Sequence, residues 1–197
     1  VKLASELEGT ELPELWKTIT KSRIDSCHFE YPGSTHAMRL RIETNDRKAS
    51  GNRELSIMNT NETSYTGERS LKFLARTMEP GENVYVYKQT YYRPEDFSDS
   101  RYDPCFSPLV YPGQTLHGSV CIPEYGPKAR AGLYVRDIHT GKVYEGEIKE
   151  LVKGQWEELI FEIPGNMDAL IGEMGMCFHI EGKHMEHFDF VGFVDDL

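Results

Sequence analysis

The sequence predicts an all-β protein, a β-sandwich jelly roll of two antiparallel sheets with about nine or ten strands. Short apolar segments recur along the chain and are separated by Gly, Pro and Asn. Almost no segment repeats its apolar residues at helical spacing for three turns. A length of 197 residues is typical of one sandwich, so we expect a single domain over residues 1–197.

The strand pattern is clearest in segments that are rich in β-branched and aromatic residues and end at Gly, Pro or Asn. One or two further strands are expected between Ser22 and Ser56. The Thr140-Gly141 pair predicts a tight hairpin between two antiparallel strands. The clearest predicted strands are Ser70–Thr77, Asn83–Tyr92, Thr115–Pro123, Ala131–Ile138, Lys142–Ile148, Trp156–Pro164, Met174–Glu181 and Phe188–Leu197.

Alternation within these strands assigns side chains to opposite faces of a sheet. In the strand that begins at Met174, the apolar residues at every second position predict a core face, and Cys177 and His179 lie on the other face. In the strand from Asn83, Val84 and Val86 share one face and the tyrosines share the other. A sheet face with tyrosines, histidines and small polar residues is what a sugar-binding surface presents.

The charge balance narrows the class of partner. The chain has 32 acidic and 22 basic residues, a net charge of -10. Nucleic acids and anionic membranes select basic surfaces, so we expect no nucleic-acid and no membrane partner. No apolar stretch approaches the roughly 20 residues of a membrane helix. A neutral or cationic ligand fits this composition better.

The first residue of the chain bears on its origin. The sequence begins at Val1 rather than Met, so we expect a mature form or a module excised from a larger multidomain protein.

The four cysteines are scattered, with no CxxC spacing typical of zinc or redox sites. Free core thiols are favoured, and one disulfide is the alternative if the protein is secreted. They are Cys27, Cys105, Cys121 and Cys177.

Local motifs, taken in order, resemble those of the carbohydrate-binding modules of families 4, 9 and 22, which are jelly rolls appended to polysaccharide-degrading enzymes. LASELEG is similar to their opening motif, GERSLKF to their second strand, and YPGQTLHGSV and AGLYVRD to later strand entries. GQWEELIFEIP and the closing FVGFVDDL complete the order, which spans nearly the whole chain.

The resemblance implies a non-catalytic module that binds a polysaccharide or oligosaccharide. It also implies that the module targets an appended catalytic domain, a glycoside hydrolase or a related enzyme, and that the protein is secreted or at the cell surface. Sugars need flat rings and planar polar groups on one surface. The candidate ligand-binding residues are Trp16, Tyr85, Tyr87, Gln89, Tyr91, His117, Arg136, His179 and Glu181. The alternative for each is an ordinary half-buried sheet residue.

The resemblance further implies a structural Ca²⁺ ion that ties the first strand, the GERS turn and the last strand together. By position, its ligands would be Glu8, Glu68 and Asp195 or Asp196. Calcium prefers hard oxygen ligands such as carboxylates. Neighbours on a strand face opposite ways, so only one of the terminal pair can face the ion, and Asp195 is preferred. The alternative is that both are solvated terminal acids.

Other functions remain open at this point. The segment YVYKQTYYR contains the Tyr, Gln and Arg that a jelly-roll polysaccharide lyase uses, although a chain of net charge -10 suits polyanionic uronates poorly. A purely structural sandwich is another alternative. Three histidines between His179 and His187 could bind a transition metal, but a solvated hairpin tip is favoured there.

Overall fold

A computed structural model describes residues 29–44, 54–79, 81–90, 110–167, 170–180 and 188–197. These ranges contain eleven β-strands in two sheets, and every paired neighbour is antiparallel. Within the same ranges there is no helix of the length and apolarity needed to cross a membrane. The predicted all-β class is therefore confirmed.

Sheet A contains six strands, and β10 lies at its centre. Its order is β1 (Arg39–Thr44), β4 (Glu82–Gln89), β10 (Ile171–Ile180), β6 (Ala129–Asp137) and β7 (Val143–Glu145), while the short β8 (Lys149–Glu150) also pairs with β6. Sheet B has the order β2 (Leu55–Thr60), β3 (Ser70–Met78), β11 (Phe188–Asp195), β5 (Thr115–Cys121) and β9 (Trp156–Glu162).

The core lies between the two sheets and is built from the alternate residues that the sequence assigned to it. Phe73 and Phe190 of sheet B and Phe178 of sheet A are fully buried. The ring centroid of Phe73 lies 4.9 Å from that of Phe178 and 5.5 Å from that of Phe190. These rings join the sheets into a sandwich, because apolar faces of two sheets exclude water only when they pack on each other.

Strand β10 is buried on both faces, and its two faces differ in kind. Met176 and Phe178 belong to the core, whereas Cys177 packs with Tyr85 and Tyr134 in a separate cluster on the opposite side of sheet A. This confirms the predicted alternation. Gly175 allows β4 to approach closely, because a Cβ atom there would lie 2.2 Å from the carbonyl oxygen of a β4 residue.

The predicted hairpin at Thr140-Gly141 connects β6 and β7. Its turn is fixed by Asp137, whose carboxylate accepts the backbone N–H of His139 at 2.9 Å and the hydroxyl of Thr140 at 2.8 Å. Gly141 has a φ of 70°, a left-handed conformation that favours glycine. These hydrogen bonds lower the pKa of Asp137, since they stabilise its ionised form.

One predicted strand is shorter than the sequence-based expectation. Of Lys142–Ile148 only β7 forms, and β8 begins after this segment, at Lys149. Between β7 and β8 the backbone of Gly146 packs against Phe161, where a Cβ would come within 2.8 Å of the ring. The cysteine prediction is confirmed for Cys121 and Cys177, which are buried free thiols. The other two cysteines lie outside the described residues.

Candidate functional site

The candidate site is the face of sheet A that points away from sheet B, called the outer A face below. Strand register places its side chains in rows. Arg41 pairs with Tyr85, which in turn pairs with Cys177. The next two rows are Tyr87, Gly175 and Tyr134, and then Gln89, Glu173 and Arg136. Residues two apart on a strand share a face, so all these rows lie on one surface.

Glu173 is the centre of a hydrogen-bond network on this face. Arg41 donates through Nη1 to Oε2 at 2.9 Å and through Nη2 to Oε1 at 2.7 Å. The hydroxyl of Tyr134 donates to Oε1 at 2.6 Å, and Arg136 Nε donates to the same oxygen at 3.2 Å. One carboxylate thus orders three side chains from two strands, and two of these side chains are planar guanidinium groups.

Glu43 closes the network from β1. Its Oε2 accepts a hydrogen bond from Arg136 Nη2 at 3.0 Å. Its Oε1 lies 2.6 Å from Arg41 Nε, but that N–H has no acceptor in hydrogen-bond geometry, so the contact is charge attraction alone. Two arginines and two carboxylates balance in formal charge. This balance allows all four side chains to be mostly buried, 11–20% exposed.

The protonation states follow from these contacts. Burial opposes ionisation of Glu173, but the hydrogen bond and charge of Arg41, with Tyr134 and Arg136, outweigh it and lower its pKa. Burial, and then the charge of Glu173, raises the pKa of Tyr134 well above its usual range. The carboxylate is therefore ionised and the phenol protonated at neutral pH, which matches the direction of their hydrogen bond.

The arginines also contact the tyrosines of this face. The guanidinium carbon of Arg41 lies 4.4 Å from the ring centroid of Tyr87 and 5.3 Å from that of Tyr85, and that of Arg136 lies 5.4 Å from Tyr85. Tyr85 meets Tyr134 edge to face at 5.1 Å. Tyr85 and Tyr134 are buried, while Tyr87 is partly exposed. The cation–π contacts hold the polar groups in fixed planes beside one accessible ring.

Gln89 adds an acceptor without a donor. Its Oε1 atom is buried and has no hydrogen-bond partner in the described part of the chain. The residue lies beside Glu173 across the β4–β10 ladder. Because an unpaired buried oxygen costs free energy, a donor from a bound molecule would offset that cost.

Sequence reasoning found part of this face. Five of the predicted residues lie together on the outer A face: Tyr85, Tyr87, Gln89, Arg136 and His179. On this face Nε2 of His179 lies 2.8 Å from Oε1 of Glu145. It does not bring His117 to them. That side chain lies on β5 of sheet B, is 55% exposed, and has its Nδ1 3.7 Å from an oxygen of Glu158. Three further candidates lie outside the described residues: Trp16, Tyr91 and Glu181.

The residues that sequence reasoning missed are the ones that organise the network. Tyr134 could have been found, because it lies two positions before Arg136 on a predicted strand and so shares its face. Glu173 lies two positions before Gly175 on β10 and follows the same rule. The face of Arg41 and Glu43 could not be predicted, because the sequence pattern did not show where their strand begins and ends.

The predicted calcium ligands lie at another place, where β11 ends beside the turn before β3. Asp195 is 1% exposed, and its Oδ2 accepts the N–H groups of Tyr65 at 2.9 Å and Thr66 at 3.2 Å. The hydroxyl of Thr66 donates to Asp196 Oδ2 at 2.8 Å. The carboxylate of Glu68 is exposed, and Glu8 lies outside the described residues.

Asp195 suits a cation better than its neighbours do. Burial raises its pKa although backbone N–H groups stabilise its charge, and it forms no ion pair with any residue that the structure describes. Glu68, Asp195 and Asp196 do not form a set of three carboxylates close enough to share an ion. A calcium ion here would therefore need Glu8 or backbone carbonyl oxygens to complete its oxygen ligands.

The chain matches no protein-family model and no curated protein sequence. It does match solved structures. One, described as the structural basis for the promiscuous specificity of carbohydrate-binding modules from the β-sandwich superfamily, is 18% identical with a TM-score of 0.57 over 85% of this chain. The chain spans 58% of the length of that structure.

Two single modules match over most of both chains. The CBM22-1 xylan-binding domain of Paenibacillus barcinonensis Xyn10C is 15% identical with a TM-score of 0.53, covering 87% of this chain and 89% of its own. The C-terminal family 22 module of Clostridium thermocellum Xyn10B is 16% identical with a TM-score of 0.52, covering 89% and 92%. The chain therefore has the jelly-roll fold of β-sandwich carbohydrate-binding modules, which confirms the fold implied by the resemblance.

Proposed function

We propose that this chain is a non-catalytic carbohydrate-binding module that holds a polysaccharide or oligosaccharide on the outer A face. The observation that supports this most is the convergence of planar hydrogen-bonding groups around Glu173 beside the partly exposed ring of Tyr87. In a cell the module would target an appended catalytic domain, a glycoside hydrolase or a related enzyme, at the cell surface or outside the cell.

The chemistry of this face matches what a sugar offers. The C–H face of a pyranose ring stacks on a flat aromatic ring, which Tyr87 supplies. Sugar hydroxyls both donate and accept hydrogen bonds. The unpaired Oε1 of Gln89 can accept one, and the guanidinium of Arg136 can donate one. The guanidinium groups are already ordered by Glu173, so binding would cost little side-chain entropy.

The similar structures suggest which polymer to test first. One of them is described as a xylan-binding domain, and a second is a module of the same family 22. A third, at 13% identity and a TM-score of 0.50, contains a CBM22-1 module joined to a GH10 module and complexed with xylohexaose. These descriptions concern those proteins, and they make xylan the first candidate ligand for this chain.

The protonation states of the two buried tyrosines argue against either of them as a lyase base. A lyase base must lose its proton near the working pH. Burial raises the pKa of Tyr85, and burial with the charge of Glu173 raises that of Tyr134, so these two phenols keep their protons. Neither tyrosine is suited to abstract a proton from a uronate.

Affinity gel electrophoresis against xylans, glucans, mannans and pectins tests the proposal. The wild-type chain should be retarded by at least one polymer. Tyr87→Ala and Gln89→Ala should weaken binding by about tenfold or more, equivalent to about 1.4 kcal/mol each. His117→Ala is the matched control, because His117 lies on the other sheet, and it should bind as the wild type does.

Two results would contradict the binding proposal. No retardation by any polymer would favour a purely structural sandwich that packs against a neighbouring domain. Release of unsaturated product from a uronate polymer, read by ultraviolet absorbance, would show that the chain is catalytic.

We also propose that a structural Ca²⁺ ion binds at Asp195 and ties the two ends of the chain together. Removal of calcium with a chelator should lower the melting temperature, because a ligand at 100 times its Kd stabilises the folded state by about 2.7 kcal/mol. Asp195→Asn should abolish this response. Asp189→Asn should preserve it, since Asp189 lies on the same strand at a distance from the turn and its Oδ1 accepts the N–H of Thr77. An unchanged melting curve in the wild type would count against the site.

A further inference from the structure

We infer that Glu145, Cys177 and His179 form a binding site for a divalent transition-metal ion of the zinc type on the outer A face. Each residue offers one ligand atom, and these atoms all lie within 4.8 Å of one another. Oε1 of Glu145 and Nε2 of His179 are 2.8 Å apart. Among the described residues, no other group of three His, Cys, Asp or Glu side chains has this geometry.

The fold builds this cluster from two strands that are not neighbours. Cys177 and His179 lie two positions apart on β10 and share a face. Glu145 lies on β7, and β6 runs between β7 and β10. The carboxylate must therefore reach across β6 to meet the thiol and the imidazole.

Gly132 on β6 makes that reach possible. It pairs with Cys177 in the strand register. A Cβ atom at Gly132 would lie 3.1 Å from Oε1 of Glu145 and 3.4 Å from the carbonyl oxygen of Glu147. The contact with Oε1 is tighter than ordinary van der Waals packing, so a side chain there would press on the carboxylate. The missing side chain leaves the space that the Glu145 carboxylate occupies.

The donor set selects the class of ion. A thiolate, an imidazole nitrogen and a carboxylate oxygen suit Zn²⁺ and its neighbours, whereas Ca²⁺ takes oxygen ligands. Tetrahedral Zn²⁺ with bonds of about 2.0 Å would separate the nitrogen and oxygen ligands by about 3.3 Å. The present pair need move apart by only about half an ångström to admit the ion.

The exposure of the cluster leaves one side open. The side chains of His179 and Glu145 are 22% and 21% exposed, while Cys177 is fully buried. An ion can enter from the side of the imidazole and carboxylate, and a water molecule can occupy its fourth position. Binding releases the Cys177 S–H proton to solvent, because the thiolate is the metal ligand. The proton shared by His179 Nε2 and Glu145 Oε1 moves to His179 Nδ1, which leaves the neutral imidazole with Nε2 free to bind the ion.

The thiol has a fixed place beside this opening. Cys177 packs with Tyr85 and Tyr134 in one buried cluster. An added dication would offset the negative charge that the Glu145 carboxylate brings to this mostly buried place.

Titration of the whole, metal-free chain with Co²⁺ tests the site, because cobalt substitutes for zinc and reports its ligands spectroscopically. One bound ion should give the near-ultraviolet thiolate-to-cobalt charge-transfer band and the visible bands of a tetrahedral centre. Added Zn²⁺ should remove both by displacement. Cys177→Ser should abolish the charge-transfer band, and Cys121→Ser, which alters another buried thiol, should leave it unchanged.

His179→Ala and Glu145→Gln should each weaken cobalt affinity by at least about tenfold. Both side chains are more exposed than Cys177, so these variants keep the test valid if the cysteine variant fails to fold. Gly132→Ala should weaken it as well, since it removes the space for the carboxylate. Absence of the band in the wild type, or its persistence in Cys177→Ser, would overturn the assignment. The readout needs no sugar, so failure here leaves the carbohydrate proposal untouched.

Discussion

Glu173→Gln is expected to destabilise the folded chain by about 3–5 kcal/mol, because it leaves two mostly buried guanidinium groups without their shared counter-charge. Arg41 makes a bidentate pair with this carboxylate, and Arg136 contacts the same oxygen as Arg41 Nη2. A glutamine amide oxygen can accept hydrogen bonds at one of the two oxygen positions, but the NH₂ group at the other position faces a donor. Urea denaturation of the two proteins measures the loss.

Glu158→Gln is the matched control. Its carboxylate lies on the outer side of sheet B, is 51% exposed, and approaches His117 at 3.7 Å. An exposed pair of this kind contributes about 0–1 kcal/mol, so the control should unfold near the wild-type midpoint. If both variants were equally stable, the network would not contribute to folding.

The pH dependence of the Glu173 variant gives a second test. Interactions that lower the folded-state pKa of a carboxyl group stabilise the protein above the unfolded-state pKa. For Glu173 the ordinary value is 4.5, and the network lowers it. The stability difference between wild type and variant should therefore be constant near neutral pH and shrink as the pH falls below about 4.5. A difference independent of pH into the acid range would contradict the ionised state of Glu173.

The same substitution should also abolish carbohydrate binding under conditions where the variant remains folded. Without Glu173 the guanidinium groups of Arg41 and Arg136 lose the partner that orders them, so binding would have to immobilise them. The comparison with Tyr87→Ala is useful here. Tyr87 contributes a ring at the surface, and its loss should reduce affinity with little effect on stability.

The face assignments could be predicted from the sequence because side-chain direction along a strand has a period of two. Met176, Cys177 and Phe178 follow this rule without exception. Alternation does not say which sheet a strand joins, and His117 shows the consequence. It points outward as predicted, but β5 belongs to sheet B, so its outward face is on the opposite side of the sandwich from Tyr85.

The network around Glu173 could not be predicted for a related reason. Arg41 and Glu173 are separated by 132 positions in the sequence, and they meet because β1 and β10 both pair with β4. Strand order is set by packing of the whole sandwich, which no local pattern contains. Asp195 gives the intermediate case. Alternation indicated that only one of the two terminal acids can face a shared ion, and Asp195 was preferred. Asp195 is buried, but its partners in the structure are backbone N–H groups of a distant turn.

Phe178→Ala is expected to cost about 3–5 kcal/mol, because it opens a cavity where the two sheets meet. Its ring lies 4.9 Å from that of Phe73 and 5.6 Å from that of Phe190, and all three are fully buried. Ile160→Ala is the control, since Ile160 lies on an outward face of β9 and is 52% exposed. Chemical denaturation should separate the variants clearly, and a loss below about 1 kcal/mol for Phe178→Ala would mean that the core closes over the gap.

The position of Phe178 makes this variant informative about binding as well. It lies between Cys177 and His179 on β10, but its side chain points into the core and theirs point to the outer A face. A variant that is destabilised yet still folded should therefore keep its affinity for both carbohydrate and cobalt. If affinity fell in step with stability, the outer A face would depend on core packing through the backbone of β10. Part of the loss of binding in Glu173→Gln would then come from its lower stability rather than from the lost contacts with Arg41 and Arg136.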